Sequence, residues 1–158
     1  MDEINTRELI GQFNDSWNSI LKLYEQYAKS VELSYVSFSV LEIIYWTPEN
    51  CTQKLICQQT YLPKQTVNTV ISDFWKRGIV ELKEIAVDRR NKTIQLTESG
   101  QKYAKGIMER VVKAEEAAFK KMPPEIMQLT IDMIKDYADT FKEHITINES
   151  LDDSQFKS

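Results

Sequence analysis

The feature that most constrains this fold is a change of hydrophobic period at Gly78. Before Gly78, apolar residues recur about every 3.6 residues, which is the period of an α-helix. After it, residues 79–85 and residues 93–97 alternate between apolar and polar, which is the period of a half-buried strand. The polar run 88–92 separates the two alternating segments. The pattern therefore predicts helices, then a β-hairpin with a charged tip, then helices again.

The segment before the hairpin contains two short, closely spaced helices. Thr52 is placed to cap a helix over residues 53–60, and Pro63 is placed as the first-turn proline of the next helix. Gly78 then ends that helix in a left-handed conformation. A long amphipathic helix ending near Val31 and a helix capped by Ser34 precede them. We interpret the short pair as a helix-turn-helix.

Two further helices follow the hairpin. The first begins at Thr97 or Ser99 and ends at the prolines 123 and 124. The apolar positions of the second, between Ile126 and Ile145, are more numerous than one packing stripe requires, so they predict a partner helix. Residues 148–158 are acidic without a periodic apolar face, and we expect them to be disordered.

Composition favours one compact, mainly α-helical domain, because the 158 residues are 42% hydrophobic with only four Gly and four Pro. The N-terminal residues are polar and acidic, and no apolar run is long enough for a bilayer, so we expect a cytoplasmic protein without a membrane partner. Cys51 and Cys57 are too few for a disulfide framework and are expected to be reduced.

Charge is distributed unevenly along the chain. Between Tyr61 and Lys105 there are nine basic and five acidic residues, a local net charge of +4 in a chain whose total is −4. The remainder therefore carries −8. A basic middle between acidic helices is typical of a phosphate-binding module on a scaffold that does not bind nucleic acid.

Two segments resemble the MarR family of winged helix-turn-helix regulators. DRRNKTIQLTESG is similar to the wing signature of that family, and KQTVNTVISDFWKRGIV is similar to its recognition helix and following strand. The resemblance implies a homodimer on a pseudo-palindromic operator in double-stranded DNA. It implies a DNA-binding domain at residues 34–97 and a helical dimerisation region formed by residues 1–33 and 98–147.

The resemblance also implies where the DNA contacts lie. The fourth helix would enter the major groove, where its polar side chains can pair with base edges or phosphates. The wing tip would place cationic side chains in the minor groove, and the start of the third helix would meet backbone phosphates. The candidate contacts are Thr52, Gln53, Lys64, Gln65, Thr66, Asn68, Thr69, Ser72, Arg89, Arg90 and Lys92.

Simpler interpretations stay open for both groups. The polar side of the fourth helix can be an ordinary solvated face, and the wing tip can be an ordinary charged hairpin. We expect Asp88 to hold Arg90 or the turn, because a carboxylate would repel phosphate. Pro63, Thr69 and Leu82 depart from the pattern of the family, which commonly has a capping serine, an arginine and an arginine there. Fewer cations predict a weaker dependence on salt.

The resemblance also implies modulation by a small aromatic ligand that binds in a cleft between the dimer helices and the winged module. The aromatic residues in the segments that would line such a cleft are Trp17, Tyr24, Tyr35, Phe38 and Trp46, although aromatics at helical spacing more often belong to a core. His144 is the single histidine and no metal-ligand spacing occurs, so no metal or cofactor is expected.

Catalytic motifs are absent from the sequence, and we expect no enzyme. The alternative function is that of a winged-helix dimer that binds a protein partner instead of DNA, which the acidic total charge favours.

Overall fold

The computed structural model describes the backbone of residues 5–85 and 88–145, and their side chains apart from those of residues 84–91. The fold is mainly helical, with one two-stranded antiparallel sheet, which confirms the predicted class. In chain order the elements are α1 (Thr6–Ser30), α2 (Tyr35–Trp46), α3 (Gln53–Thr60), α4 (Lys64–Lys76), β1 (Val80–Ile85), β2 (Asp88–Leu96), α5 (Glu98–Phe119) and α6 (Pro124–His144). The predicted tail at 148–158 lies outside the described residues.

Several helix ends are set by local side chains, as the sequence predicts. Ser34 caps α2 by accepting a hydrogen bond from the backbone N–H of Ser37 at 3.0 Å. Thr52 caps α3 in the same way, through the N–H of Leu55 at 3.2 Å. Gly78 follows α4 with φ +68°, and the next N–H bonds back to the carbonyl of Phe74 at 2.8 Å. These interactions satisfy backbone groups that the helix termini leave unpaired.

The predicted start of α4 is wrong by one residue. Pro63 is the N-cap, with an extended ψ of 143°, and the first helical residue is Lys64. Proline is tolerated at this place because its missing N–H has no role in the helix, while its carbonyl accepts from the N–H of Val67 at 3.1 Å.

The predicted position of the hairpin tip is also wrong. The ladder continues to the pair Ile85 and Asp88, so residues 88–92 belong to β2 rather than to the turn. The physical reason is that alternation reports burial of one face, as at Val80 and Ile94 at the base of the hairpin, whereas residues 88–92 are all polar and do not alternate. The outer part of the ladder leaves no apolar signal in the sequence.

The core lies between α2, α3, α4, the base of the hairpin and the first half of α5. Phe38 and Phe74 are the largest fully buried side chains, and they are joined by Leu41, Ile44 and Ile56. The C-terminal half of α1 closes this core, because Tyr27 donates a hydrogen bond from its hydroxyl to the carbonyl of Ile107 on α5 at 2.7 Å.

The junction between β2 and α5 is the tightest backbone contact described. Thr97 accepts a hydrogen bond from the N–H of Gly100 at 2.9 Å and donates its hydroxyl proton to the carbonyl of Gly78 at 2.6 Å. A Cβ atom on Gly100 would lie 1.8 Å from the carbonyl oxygen of Ile79. The Leu-Thr-x-x-Gly segment therefore joins the end of α4, the start of β1 and the start of α5.

Gly100→Ala is expected to lower the free energy of unfolding by about 3 kcal/mol or more, because the new methyl group meets fixed backbone rather than a flexible side chain. Gly106→Ala is the control, because it lies in the same helix with nothing near its Cβ position. It should raise the free energy of unfolding by about 0.5–1 kcal/mol. Denaturant titrations at equal protein concentration measure both. Equal midpoints for the two variants would contradict the role given to Gly100.

Candidate nucleic-acid interface

Helix α4 has two distinct faces. Val67, Val70, Ile71 and Phe74 are buried in the core of the module. The other face carries the sequence-predicted contacts: Lys64, Gln65, Asn68 and Thr69 are exposed, and Thr66 and Ser72 are half-buried. Because four apolar side chains anchor the helix, its polar face is held in a fixed orientation toward solvent.

The starts of α3 and α4 meet at a shallow groove of about 290 Å³. It is lined by Gln53, Lys64, Gln65 and Asn68, four of the predicted contact residues. Gln53 is half-buried, and its side-chain amide donates to the backbone carbonyl of Lys64 at 3.0 Å. The geometry therefore gives Gln53 a positioning role: it ties the first residue of α4 to α3.

The N-terminal ends of α3 and α4 are electropositive. Neither of these two fully described helices has an acidic residue in its first turn, so the partial positive charge of each N-terminus is not neutralised there. Pro63 supplies no side-chain hydrogen bond to the first N–H groups of α4. The one acidic residue of α4, Asp73, lies toward the other end and pairs with Arg77 at 3.2 Å.

The C-terminal end of α4 is fixed to α5 by Arg77. Its guanidinium lies 5.8 Å from the ring centre of Phe74 and 5.7 Å from that of Tyr103. It also donates to the Tyr103 hydroxyl at 3.4 Å. Arg77 is thus engaged in joining helices, although by charge alone it would be a candidate for phosphate contact.

The hairpin is attached to the start of α3. The N–H of Ile94 donates to the carbonyl of Cys51 at 2.8 Å, and Thr93 forms a bridge with Thr52. Lys92 is exposed on β2, and its register partner is Glu84. The backbone of Arg89 and Arg90 also lies in β2, while their side chains are outside the described atoms. The hairpin and the groove therefore belong to one continuous framework.

Tyr61 is a residue that the sequence interpretation missed. It follows the last residue of α3 in the left-handed conformation, with φ 55° and ψ 21°, and its side chain is 88% exposed. This conformation is unfavourable for a bulky residue, and an exposed ring recovers little of that cost by packing. The sequence could have indicated this residue, because the turn between the two short helices has a tyrosine at a position where Gly or Asn adopts the left-handed conformation at lower cost.

The five aromatic residues named for a ligand cleft do not form one cluster within the chain. Phe38 is 1% exposed and belongs to the core, where Tyr24 lies 6.3 Å from it between ring centres. Trp17 stacks on Phe13 at 6.3 Å, and Trp46 is exposed beside Tyr45. Tyr35 lines a separate cavity on α2.

Both cysteines are buried. Burial raises the pKa of the Cys51 thiol to about 11 and also raises the pKa of the Cys57 thiol. Thiolate is the reactive form, so neither group resembles an activated nucleophile. Within residues 5–85 and 88–145, no helix combines the length and the apolar content that a bilayer span needs.

Comparison with known proteins gives a consistent result. A model of the MarR family matches residues 32–91. The HTH-type transcriptional regulator SarZ of Staphylococcus haemolyticus is 32% identical over 81 residues, which are 51% of this chain and 54% of that protein. The match thus spans about half the length of this curated relative.

Solved structures extend the likeness to most of the chain. A MarR family regulator from Neisseria meningitidis is 26% identical, with a TM-score of 0.73 over 85% of this chain and 94% of that one. The Staphylococcus aureus MepR–DNA complex has 17% identity and a TM-score of 0.65 over 80% of this chain and 97% of that one, which shows a common fold.

The matched proteins are transcriptional regulators, which confirms the expectation that the chain is not an enzyme. The family model covers α2, α3, α4, β1 and the start of β2. It therefore includes the KQTVNTVISDFWKRGIV segment and the first four residues of DRRNKTIQLTESG. The chain therefore has the winged helix-turn-helix fold of the MarR family regulators that it resembles, and residues 32–91 match the model of that family.

Proposed function

We propose that this chain is a homodimeric transcriptional regulator that binds a pseudo-palindromic site in double-stranded DNA. The observation that carries the proposal is the acid-free, outward-facing polar surface at the starts of α3 and α4, which is held by a rigid core. Helix α4 would lie in the major groove, with Gln65 and Asn68 near base edges and Lys64 near phosphate or guanine. That the related MepR has been solved with DNA supports this assignment.

The wing would lie along the adjacent backbone and minor groove. Lys92 is exposed on β2, which also carries Arg89 and Arg90 in sequence. Guanidinium groups suit a narrow minor groove, where the negative potential is strongest. Because the base of the hairpin bonds to the start of α3 at Cys51 and Thr52, wing and recognition helix would approach DNA together.

A dimer is supported by the apolar surfaces that the single chain leaves uncovered. Helix α6 has no buried residue, and its large apolar side chains are 38% to 61% exposed: Ile126, Leu129, Met133, Ile134, Tyr137 and Phe141. Helix α1 adds Leu9, Ile10, Phe13, Trp17 and Ile20, with Phe13 against Tyr137 at 4.9 Å. An apolar surface of this extent is typical of a protein interface. Residues 1–33 and 98–147 would thus form the dimerisation region.

A small ligand would regulate DNA binding by altering the spacing of the two α4 helices. Tyr35, which lines a cavity, supports such a site best among the aromatic residues considered.

The alternative function, binding of a protein partner without DNA, has the net charge of −4 in its favour. Selection of randomised duplex DNA by the purified chain separates the regulator from this alternative. A protein-binding adaptor that does not bind DNA would enrich no sequence.

The selected duplex should carry a palindromic motif whose binding weakens as salt rises, because bound cations release counterions. Arg89→Ala should weaken binding about tenfold. It should also reduce, by about one, the magnitude of the slope of log binding constant against log salt concentration. Lys135→Ala, on α6, is the control for loss of one positive charge and should leave both unchanged. Titrations of labelled duplex at several salt concentrations measure this, and no enrichment at low salt would favour the adaptor.

Leu129→Lys should shift the protein from dimer to monomer and weaken binding to the full palindrome by at least about a hundredfold, since one module reads only half a site. Gln128→Lys places the same charge at the neighbouring exposed position, outside the apolar stripe of α6, and should remain dimeric. Sedimentation velocity measures the mass of each variant. A dimeric Leu129→Lys protein would place the interface elsewhere.

Tyr61→Asn should have opposite effects on stability and on DNA binding. Asn tolerates the left-handed conformation, so the free energy of unfolding should rise by about 0.5–1 kcal/mol. We infer that the exposed ring meets the DNA backbone, so affinity should fall about fivefold.

The chain offers a matched control, because Glu32 has φ 60° in the turn after α1. Glu32→Asn should give the same gain in stability without loss of affinity. Denaturant titration and duplex binding measure the two properties, and unchanged affinity in Tyr61→Asn would remove Tyr61 from the interface.

A further inference from the structure

A cavity of about 250 Å³ lies between α2 and the turn that follows α3, and we name it the Glu42 pocket. Three α2 residues spaced four and three apart, Tyr35, Ser39 and Glu42, line one side. Thr60 and Leu62 line the other side. Val36, Ile43 and Gln59 complete the wall. This is the same cavity, lined by Tyr35, that supports the ligand site of the proposed function.

Glu42 is the single charged residue of this wall. The side chain is half-buried, and among the described residues it has no hydrogen bond and no salt bridge. No fully buried oxygen in the described part of the chain lacks a hydrogen bond, so the carboxylate oxygens of Glu42 are reached by solvent. The carboxylate is therefore available to an occupant of the pocket.

The surroundings of Glu42 add negative charge instead of neutralising it. Burial raises the pKa of Glu42, and the Glu115 carboxylate on α5 raises it further. Glu115 already accepts a hydrogen bond from the Tyr24 hydroxyl, while Glu42 has no such donor among the described groups. A positive charge in the pocket would relieve both the repulsion and the loss of solvation.

We propose that the Glu42 pocket binds a small organic cation, an amine or ammonium group on a compact apolar body. Glu42 would pair with the charge, and the aromatic ring of Tyr35 would offer a surface that favours cations. Val36 and Leu62 would cover the apolar part, and the hydroxyls of Ser39 and Thr60 would accept from N–H groups. Anionic aromatic ligands would be repelled by the two carboxylates.

Occupancy of the pocket would act on the start of the recognition helix. Leu62 immediately precedes Pro63, the N-cap of α4, and its N–H donates to the Thr60 hydroxyl at 3.4 Å. A ligand wedged between α2 and this turn would set the distance between them and thereby the placement of Lys64 and Gln65. This regulatory consequence rests on the proposed function, whereas the binding of the cation does not.

Calorimetric titration of the full chain with phenethylamine tests the binding, with 2-phenylethanol and phenylacetate as neutral and anionic probes of the same ring. The amine should bind at least about tenfold more tightly than either probe, because only it supplies a charge to Glu42. Glu42→Gln should reduce amine affinity at least about tenfold. Glu49→Gln, an exposed glutamate just beyond α2, is the control and should leave it unchanged.

Equal affinity for phenylacetate, unchanged amine affinity in a folded Glu42→Gln variant, or no saturable amine binding would each overturn the proposal. Circular dichroism of Glu42→Gln checks its fold, and the substitution should be tolerated because it removes a repulsion. The titration contains no DNA. Failure of the chain to bind any duplex would therefore count against the regulator while leaving the pocket intact.

Discussion

The contact between the start of α5 and the start of β1 determines how the other parts of the molecule are arranged. Gly100 lets the backbone of α5 approach the carbonyl of Ile79 at a distance that no side chain would permit. Thr97 caps α5 and bonds to the carbonyl of Gly78 with the same hydroxyl. Helix α4, the hairpin and the long helix α5 therefore share a junction of a few residues.

Rigidity at this junction has a consequence for the proposed reading of DNA by two elements. The wing is bonded at its base to Cys51, at the start of α3, and α4 is held at its far end by Arg77 against Tyr103. Neither element can shift alone without breaking these contacts. A signal that reaches the start of α4, such as the occupant proposed for the Glu42 pocket, would move a connected unit.

The acidic total charge is compatible with a DNA-binding surface because charge is segregated along the chain. Acidic residues are missing from the first turns of α3 and α4, and Asp73 is paired with Arg77 at the other end of α4. Local potential at the contact surface governs phosphate binding more than the total does.

The sequence by itself determined the order and type of the elements, most helix caps and the two faces of α4, because these depend on local hydrogen bonds and on the periodicity of apolar residues. Only the tertiary structure decided that residues 88–92 continue a strand, because this all-polar segment has no alternation of apolar and polar residues. It also decided that Gln53 positions α4, that Tyr61 has a strained backbone, and that Glu42 faces a cavity near Glu115. Each of these features joins or orients residues from different elements, and such distances are set by packing rather than by neighbours in the chain.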